Sequence, residues 1–197
     1  TAGEVEEARK EWNATPIRHV YNLGLMKHRV VAAHCVHATP EDIELMAETG
    51  TGVCHCPVSN LKLASGVTPI LAMRRAGVKV GLGTDGASSD NILHILGSEM
   101  RVAAIQAKNL EGDPSAFSAY DAVEMATLGG ARVLGMEQEI GSLEPGKRAD
   151  ITLIDTRKPH LVPNHDPLAL VAYSALPGDV AMTIVNGRVV YEAGKLT

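Results

Sequence analysis

Two kinds of hydrophobic pattern alternate along the first half of the chain. Short apolar runs end in a polar residue: "RVVAAH" (Arg29 to His34), "TGVCHCP" (Thr51 to Pro57) and "VKVGLGTD" (Val78 to Asp85). Each reads as a buried strand. Between them lie amphipathic stretches at helical spacing. In "TPEDIELMAETG", Thr39 is a good N-cap, Pro40 sits at the first helical position and Gly50 closes the helix. "VTPILAMRRAG" reads as a second such helix, stopped at Gly77. Upstream, Glu4 to Trp12 predicts a helix with an acidic start, and "TPIRHVYNLGLM" runs on to a turn. Strand–helix alternation of this kind predicts right-handed βαβ units and a parallel sheet.

After Asp85 the pattern changes. Asp90 to Lys108 predicts one long helix, with Ile92, Ile95, Leu96, Met100, Ala103 and Ala104 as its apolar positions. "SAYDAVEMATLGGARVLG" predicts another, and Ser118 and Asp121 have capping-box spacing. Beyond Gly135 the chain becomes β-rich, in "SLEPGKRADITLIDT" and "AMTIVNGRVVYEAGKL". Asn186-Gly187 between two β-branched runs predicts a type I′ hairpin. The expected division is 1–140 and 141–197.

The 197 residues, 45% of them hydrophobic, suffice for a substantial core. Aromatics make up only 3%, as suits parallel strands built from short Val, Ala and Gly runs. The net charge is −5 and no basic run occurs, so nucleic-acid binding has no electrostatic footprint. No apolar run approaches the length of a membrane span, and no signal peptide is read at the start. Three cysteines, an odd number, fit a reducing cytoplasm better than a disulfide framework.

"GVCHCPVSN" (Gly52 to Asn60) first suggests zinc. A structural zinc needs four converging ligands, usually from C-x2–4-C knuckles. A C-x-C inside a strand sends Cys54 and Cys56 to one face and His55 to the other. The H-x-E signature of cytidine-type zinc deaminases is absent as well. Cys35, Cys54 and Cys56 are therefore expected to be small core residues.

Position says more than composition. The three strand-like runs end in His34, His55/Cys56 and Asp85. In a βα-barrel the C-terminal strand ends ring one mouth, and catalytic groups come from several of them. His and Asp there could bind or flank a catalytic metal. Other readings stay open. His34 could be bonded to a loop carbonyl, and Asp85 could be a turn former before Gly86. Pro57 suggests a packed turn around His55. His19, His28, His37, His94, His160 and His165 read as surface or loop histidines.

"VVAAHCVHATPEDIELMAETGTGVCHCPVSNLKLASGVTPI", "VGLGTDGASSDN", "MATLGGARVLG" and "IGSLEPGKRADITLID" together resemble the amidohydrolase superfamily. Within it the nearest branch is the one that deaminates 5-methylthioadenosine and S-adenosylhomocysteine. Guanine deaminases and chlorohydrolases stand beside it as alternatives. The resemblance implies an α/β fold: the C-terminal part of a distorted (β/α)8 barrel, strands six to eight, joined to part of a small β-sandwich. It implies one divalent metal, zinc or another such as Fe2+. That metal is held by an H-x-H pair on strand one, a strand-five His and the strand-eight Asp.

Only the last has a counterpart, Asp85 of "GTDG". Asp85 is thus the implied metal ligand, the base for the attacking water and a substrate contact. His34 matches the strand-six His beside that water. In the family, strand five ends in a His and a Glu three residues apart, and a helix beginning like "TAGEVEEA" follows. The sequence is therefore expected to start just after that Glu. The isolated chain is expected to be inactive, with an unpaired edge at "RVVAAH". The implied substrate is a small purine nucleoside. A homo-oligomer of the complete enzyme is compatible with the resemblance.

Overall fold

The computed structural model describes residues 1–91 and 93–197. It is a mixed α/β structure with two sheets. The first holds β1 (Val31–Ala33), β2 (Gly52–His55) and β3 (Lys79–Leu82), parallel and in that order. The register aligns Ala33 with Cys54 and Cys54 with Gly81. The three C-terminal ends therefore finish side by side. Among the described residues β1 has β2 as its one neighbour, which leaves its other edge open as expected.

The crossovers are helical, as their sequences require. β1 leads through α3 (Pro40–Thr49), where Thr39 and Asp42 form a reciprocal capping box and Gly50 closes the end at φ 67°. β2 leads through α4 (Pro57–Lys62) and α5 (Ile70–Arg75). Pro57 does not merely end a strand. It starts α4, where a missing N–H costs nothing. Ahead of β1 lie α1 (Ala2–Trp12) and α2 (Pro16–Asn22).

The single helix expected over Asp90 to Lys108 is not formed. A turn at Gly86–Asn91 comes first, then one wide turn at Ile95–Glu99, then α6 (Met100–Glu111). The break falls at Leu96–Gly97, where Gly97 takes φ 76°. Glycine adopts that left-handed conformation freely, and a side chain there would stand 2.9 Å from Leu176 Cδ2. Of the expected apolar positions, Met100, Ala103 and Ala104 are buried, Ile95 and Leu96 are partly buried, and Ile92 lies outside the described residues.

The next expected helix forms, as α7 (Ala119–Glu124) and α8 (Gly130–Leu134) joined by a π turn at Met125–Gly129. Ser118 and Asp121 make the expected capping box. The π turn lies directly over β3, and a Cβ at Gly129 would meet the Val80 carbonyl oxygen at 2.7 Å. Met46, Met73, Met125, Phe117 and Val53 fill the core between the sheet and these helices. Each such side chain contributes about 1.5–3 kcal/mol when fully buried.

The second sheet is antiparallel: β4 (Ile151–Ile154), β5 (Val180–Val185), β6 (Arg188–Glu192) and β7 (Lys195–Leu196), in that order. Asn186 and Gly187 turn the β5–β6 hairpin with φ 49° and 77°, the left-handed pair a type I′ turn needs. Between β4 and β5 the chain forms α9 (Pro167–Tyr173), which the β-rich reading of this stretch did not contain. Asp166 caps it, with Oδ1 accepting from Leu168 and Ala169. α9 packs against α6 and α7 and places Ala172 in the main core.

Candidate active site at the strand ends

The ends of β1 and β3 bring His34 and Asp85 together. The His34 N–H donates to the Cys54 carbonyl at 2.9 Å, so the ladder runs one residue past β1. His34 and Cys35 then take φ 64° and 50°, two left-handed residues in a row without glycine. Asp85 does the same at φ 57°. Backbone of this kind costs of order 1–3 kcal/mol per residue and clusters at functional sites. The result is His34 Nε2 facing Asp85 Oδ2 at 3.8 Å, with both side chains partly open. A cavity of about 610 Å³ lies over them, with apolar walls that include Ile17 and Val20.

α4 holds both residues. Ser59 Oγ donates to Asp85 Oδ2 at 2.6 Å, and the Gly86 N–H donates to Oδ1 at 2.8 Å. The Ser59 hydroxyl, with Ser89 and the Gly86 N–H, holds the Asp85 carboxyl down at about 2. It is ionised at any ordinary pH. One residue on, Asn60 Oδ1 lies 2.8 Å from His34 Nδ1. Asn60 Nδ2 donates to Thr68 Oγ1 at 3.1 Å, and Thr68 Oγ1 donates to the His34 carbonyl at 2.8 Å.

Behind α4 sits Glu99, fully buried, with Oε2 accepting from the Val58 N–H at 3.3 Å. Burial, with the charge of Asp90 beside it, pushes its carboxyl up to about 8. Its Oε1 and both oxygens of buried Asp90 have no partner among the described residues.

Ser59, Asn60, Thr68 and Glu99 carried no role in the sequence reading. The available signal was "PVSN": two short polar residues in the first turn of a helix that leaves a strand end.

His55 points away from the site. It is buried, Nδ1 has no partner among the described residues, and burial pushes the ring down to about 4, so it is neutral. Cys54 and Cys56 share the opposite face, as strand alternation requires, with sulfurs 3.9 Å apart. Both crowd the place where a Gly83 side chain would stand. Cys56 is buried, while Cys35 and Cys54 are half-buried. Cys56's hydrogen bond brings the Cys54 thiol down to about 7, and burial pushes Cys35 up to about 11. Among the remaining histidines, His37 bonds the Ser65 carbonyl and His19 stacks on Trp12. His160 is more than a loop residue: its Nε2 bonds buried Asp179 at 2.8 Å.

No group of three or more His, Cys, Asp or Glu side chains converges as a metal site among the described residues. The Asp85–His34 pair nevertheless has the right donors, an ionised carboxylate oxygen and an imidazole nitrogen aimed at one gap. A catalytic zinc takes three protein ligands. The pair fits a divalent metal in donor type and falls short of a complete ligand set. No helix among the described residues is long and apolar enough to cross a membrane.

Residues 1–190 match the model of the Amidohydrolase family. The chain is 74% identical over 193 residues to the 5-methylthioadenosine/S-adenosylhomocysteine deaminase of Symbiobacterium thermophilum, covering 98% of this chain and 44% of that protein. It is 52% identical over 196 residues to the protein of the same name from Moorella thermoacetica, covering 46% of it. The chain thus spans less than half the length of these curated relatives. Among solved structures, a zinc-bound adenosine deaminase from Xanthomonas campestris superposes with a TM-score of 0.96 at 40% identity. It matches all of this chain, which covers 45% of it. The zinc complex of atrazine chlorohydrolase from Arthrobacter aurescens gives 0.89 at 30% identity, over 96% of this chain and 42% of that one.

Proposed function

The chain belongs to the amidohydrolase family, and from that premise we propose that the full-length protein deaminates an adenine-type nucleoside by hydrolysis. Methylthioadenosine or S-adenosylhomocysteine is the substrate, and the inosyl product and ammonia are released. The observation that carries the substrate class is the 74% identity to a deaminase of that name over nearly the whole chain. Zinc in two related structures supports a metal-dependent reaction. In this reading β1, β2 and β3 are barrel strands six, seven and eight. Residues 1–140 belong to the barrel with its helices, and 141–197 to the small β-sandwich.

Asp85 would hold a divalent metal, with the other ligands drawn from residues outside this chain. When bound, such a metal brings the pKa of water down toward about 7. The chain's own residues do the rest. Asp85, ionised and held at both oxygens by Ser59 and the Gly86 N–H, can receive a proton from the attacking water at Oδ2. His34 Nε2, across the 3.8 Å gap, can hydrogen-bond the same water and fix its approach. The isolated 197-residue chain, short of ligands, is inactive on this reading.

The test is ammonia release by the full-length protein from methylthioadenosine, S-adenosylhomocysteine, guanine and a chlorotriazine. Turnover of the first two in preference to the others supports the assignment. A preference for guanine or dechlorination of the triazine gives the site to another amidohydrolase branch, as the chlorohydrolase likeness would then imply.

A further inference from the structure

The two ring nitrogens of a neutral histidine can exchange roles, and nothing in the residue itself says which one carries the proton. The surroundings of His34 do say. Its own carbonyl oxygen can only accept. Thr68 Oγ1 lies 2.8 Å from that oxygen. A hydroxyl has one proton, so Thr68 spends it there. Thr68 Oγ1 can then only accept, and the Asn60 amide stands 3.1 Å away. Its NH2 end must therefore face Thr68, which turns Oδ1 toward His34 Nδ1 at 2.8 Å. A carbonyl oxygen needs a donor opposite it, so Nδ1 carries the proton.

The reverse polarity fails at one identifiable point. A flipped Asn60 would need a proton from Thr68, and the His34 carbonyl would lose its partner. No other hydrogen bond to that carbonyl exists among the described residues. Asn60 and Thr68 are 2% and 1% exposed, so solvent does not supply their side chains with substitute partners. The polarity that leaves none of these groups without its partner is the one favoured.

We propose that Thr68 and Asn60 are positioning residues: a relay of fixed polarity that keeps a proton on His34 Nδ1, so that the neutral ring is the Nδ1–H tautomer with its Nε2 lone pair aimed at Asp85. In that tautomer Nε2 and Asp85 Oδ2 are two acceptors facing each other across 3.8 Å. The gap suits a group that donates to both, or a cation. His34 accordingly accepts from the attacking water and does not donate to it. This catalytic consequence rests on the deaminase reading; the tautomer does not.

The experiment is a two-bond proton–nitrogen correlation spectrum of the 15N-histidine-labelled full-length protein, taken well above the ordinary imidazole pKa of about 6.5. His34→Gln assigns the signal. The expected pattern has a protonated Nδ1 and a bare Nε2. Thr68→Val keeps the shape and removes the hydroxyl, which frees the Asn60 amide to turn. It should give a mixture of tautomers and lower kcat on the order of tenfold or more, with KM changed little. Thr68→Ser should restore both. A proton on Nε2 in the unsubstituted protein overturns the relay, whatever the variants do. So does a Thr68→Val spectrum unchanged from the parent. The expected tautomers in a protein that releases no ammonia from either nucleoside would uphold the relay and sink the deaminase reading alone.

Discussion

Ser59 Oγ sits 2.6 Å from Asp85 Oδ2, 26 residues away in sequence. It lies in the first turn of α4, one position before the residue that holds His34. One short helix thus orients both candidate groups. Ser59→Ala should raise the Asp85 carboxyl from about 2. The Gly86 N–H and Ser89 remain, so Asp85 stays ionised at neutral pH. Its folded pKa is depressed, so the stability it contributes is present above its unfolded pKa and is lost as pH falls toward about 2. The variant should therefore unfold at slightly higher pH in an acid titration. It should lose roughly tenfold in kcat through misplacement of the carboxylate. An acid unfolding curve identical to the parent's would show that Ser59 contributes nothing to Asp85.

Asp85→Asn in the full-length protein removes a charged ligand and the proton acceptor together. Turnover should fall by roughly a thousandfold or more, and the bound metal measured after dialysis should fall with it. His34→Ala should lower kcat by about a hundredfold while metal content holds. Metal analysis beside the assay separates the two roles. Loss of metal from His34→Ala would make His34 a ligand, and near-normal turnover of Asp85→Asn would remove Asp85 from the mechanism.

Where the physics is local, the sequence carried the structure. Thr39-Pro40 to Gly50 caps and closes α3 with nothing but neighbouring residues, and Asn186-Gly187 turns its hairpin the same way. His34 and Asp85 were legible as candidates because each is a polar residue that closes a short apolar run. The break at Leu96–Gly97 escaped although a glycine inside a helical pattern is a usable signal; that Leu176, 79 residues downstream, crowds the position is something only the fold shows. α9 is seven residues long, too short for a clear period, although Asp166-Pro167 was a usable start signal. Asn60 and Thr68 escaped for another reason. They meet His34 through side chains 26 and 34 residues apart, a closure that only the fold creates.

Glu99 gives a pH prediction independent of the strand ends. Its unfolded pKa is 4.5, and burial, aided by Asp90, raises the folded value to about 8. Between these values the folded chain holds a proton that the unfolded chain has released. The stability that Glu99 contributes therefore falls as pH rises from about 4.5 to about 8, and that contribution is flat on either side. Glu99→Gln keeps an acceptor for the Val58 N–H and removes the titration. Its Tm should equal or trail the parent's near the bottom of that window and exceed it by several degrees near the top. Parallel Tm curves for the two proteins across the window would mean that Glu99 is not held protonated by the fold.

Gly81 tests the packing beneath the site. It lies in the middle of β3, and a Cβ there would stand 2.7 Å from Gly130 Cα and 3.0 Å from Gly130 N. Both are backbone atoms, which cannot rotate away. Strand and helix touch main chain to main chain here, which is why the π turn and α8 can lie so close over β3. Gly81→Ala should force them apart and cost about 1–3 kcal/mol. Because β3 runs directly into Asp85, turnover should fall as well. Gly3 is the internal control. It lies in the first turn of α1 with nothing inside 4 Å of its added Cβ, so Gly3→Ala should leave stability unchanged or raise it by up to about 0.5 kcal/mol. Thermal unfolding of both variants checks the contrast. A Gly81→Ala protein as stable as its parent would mean that β3 and α8 are not in backbone contact.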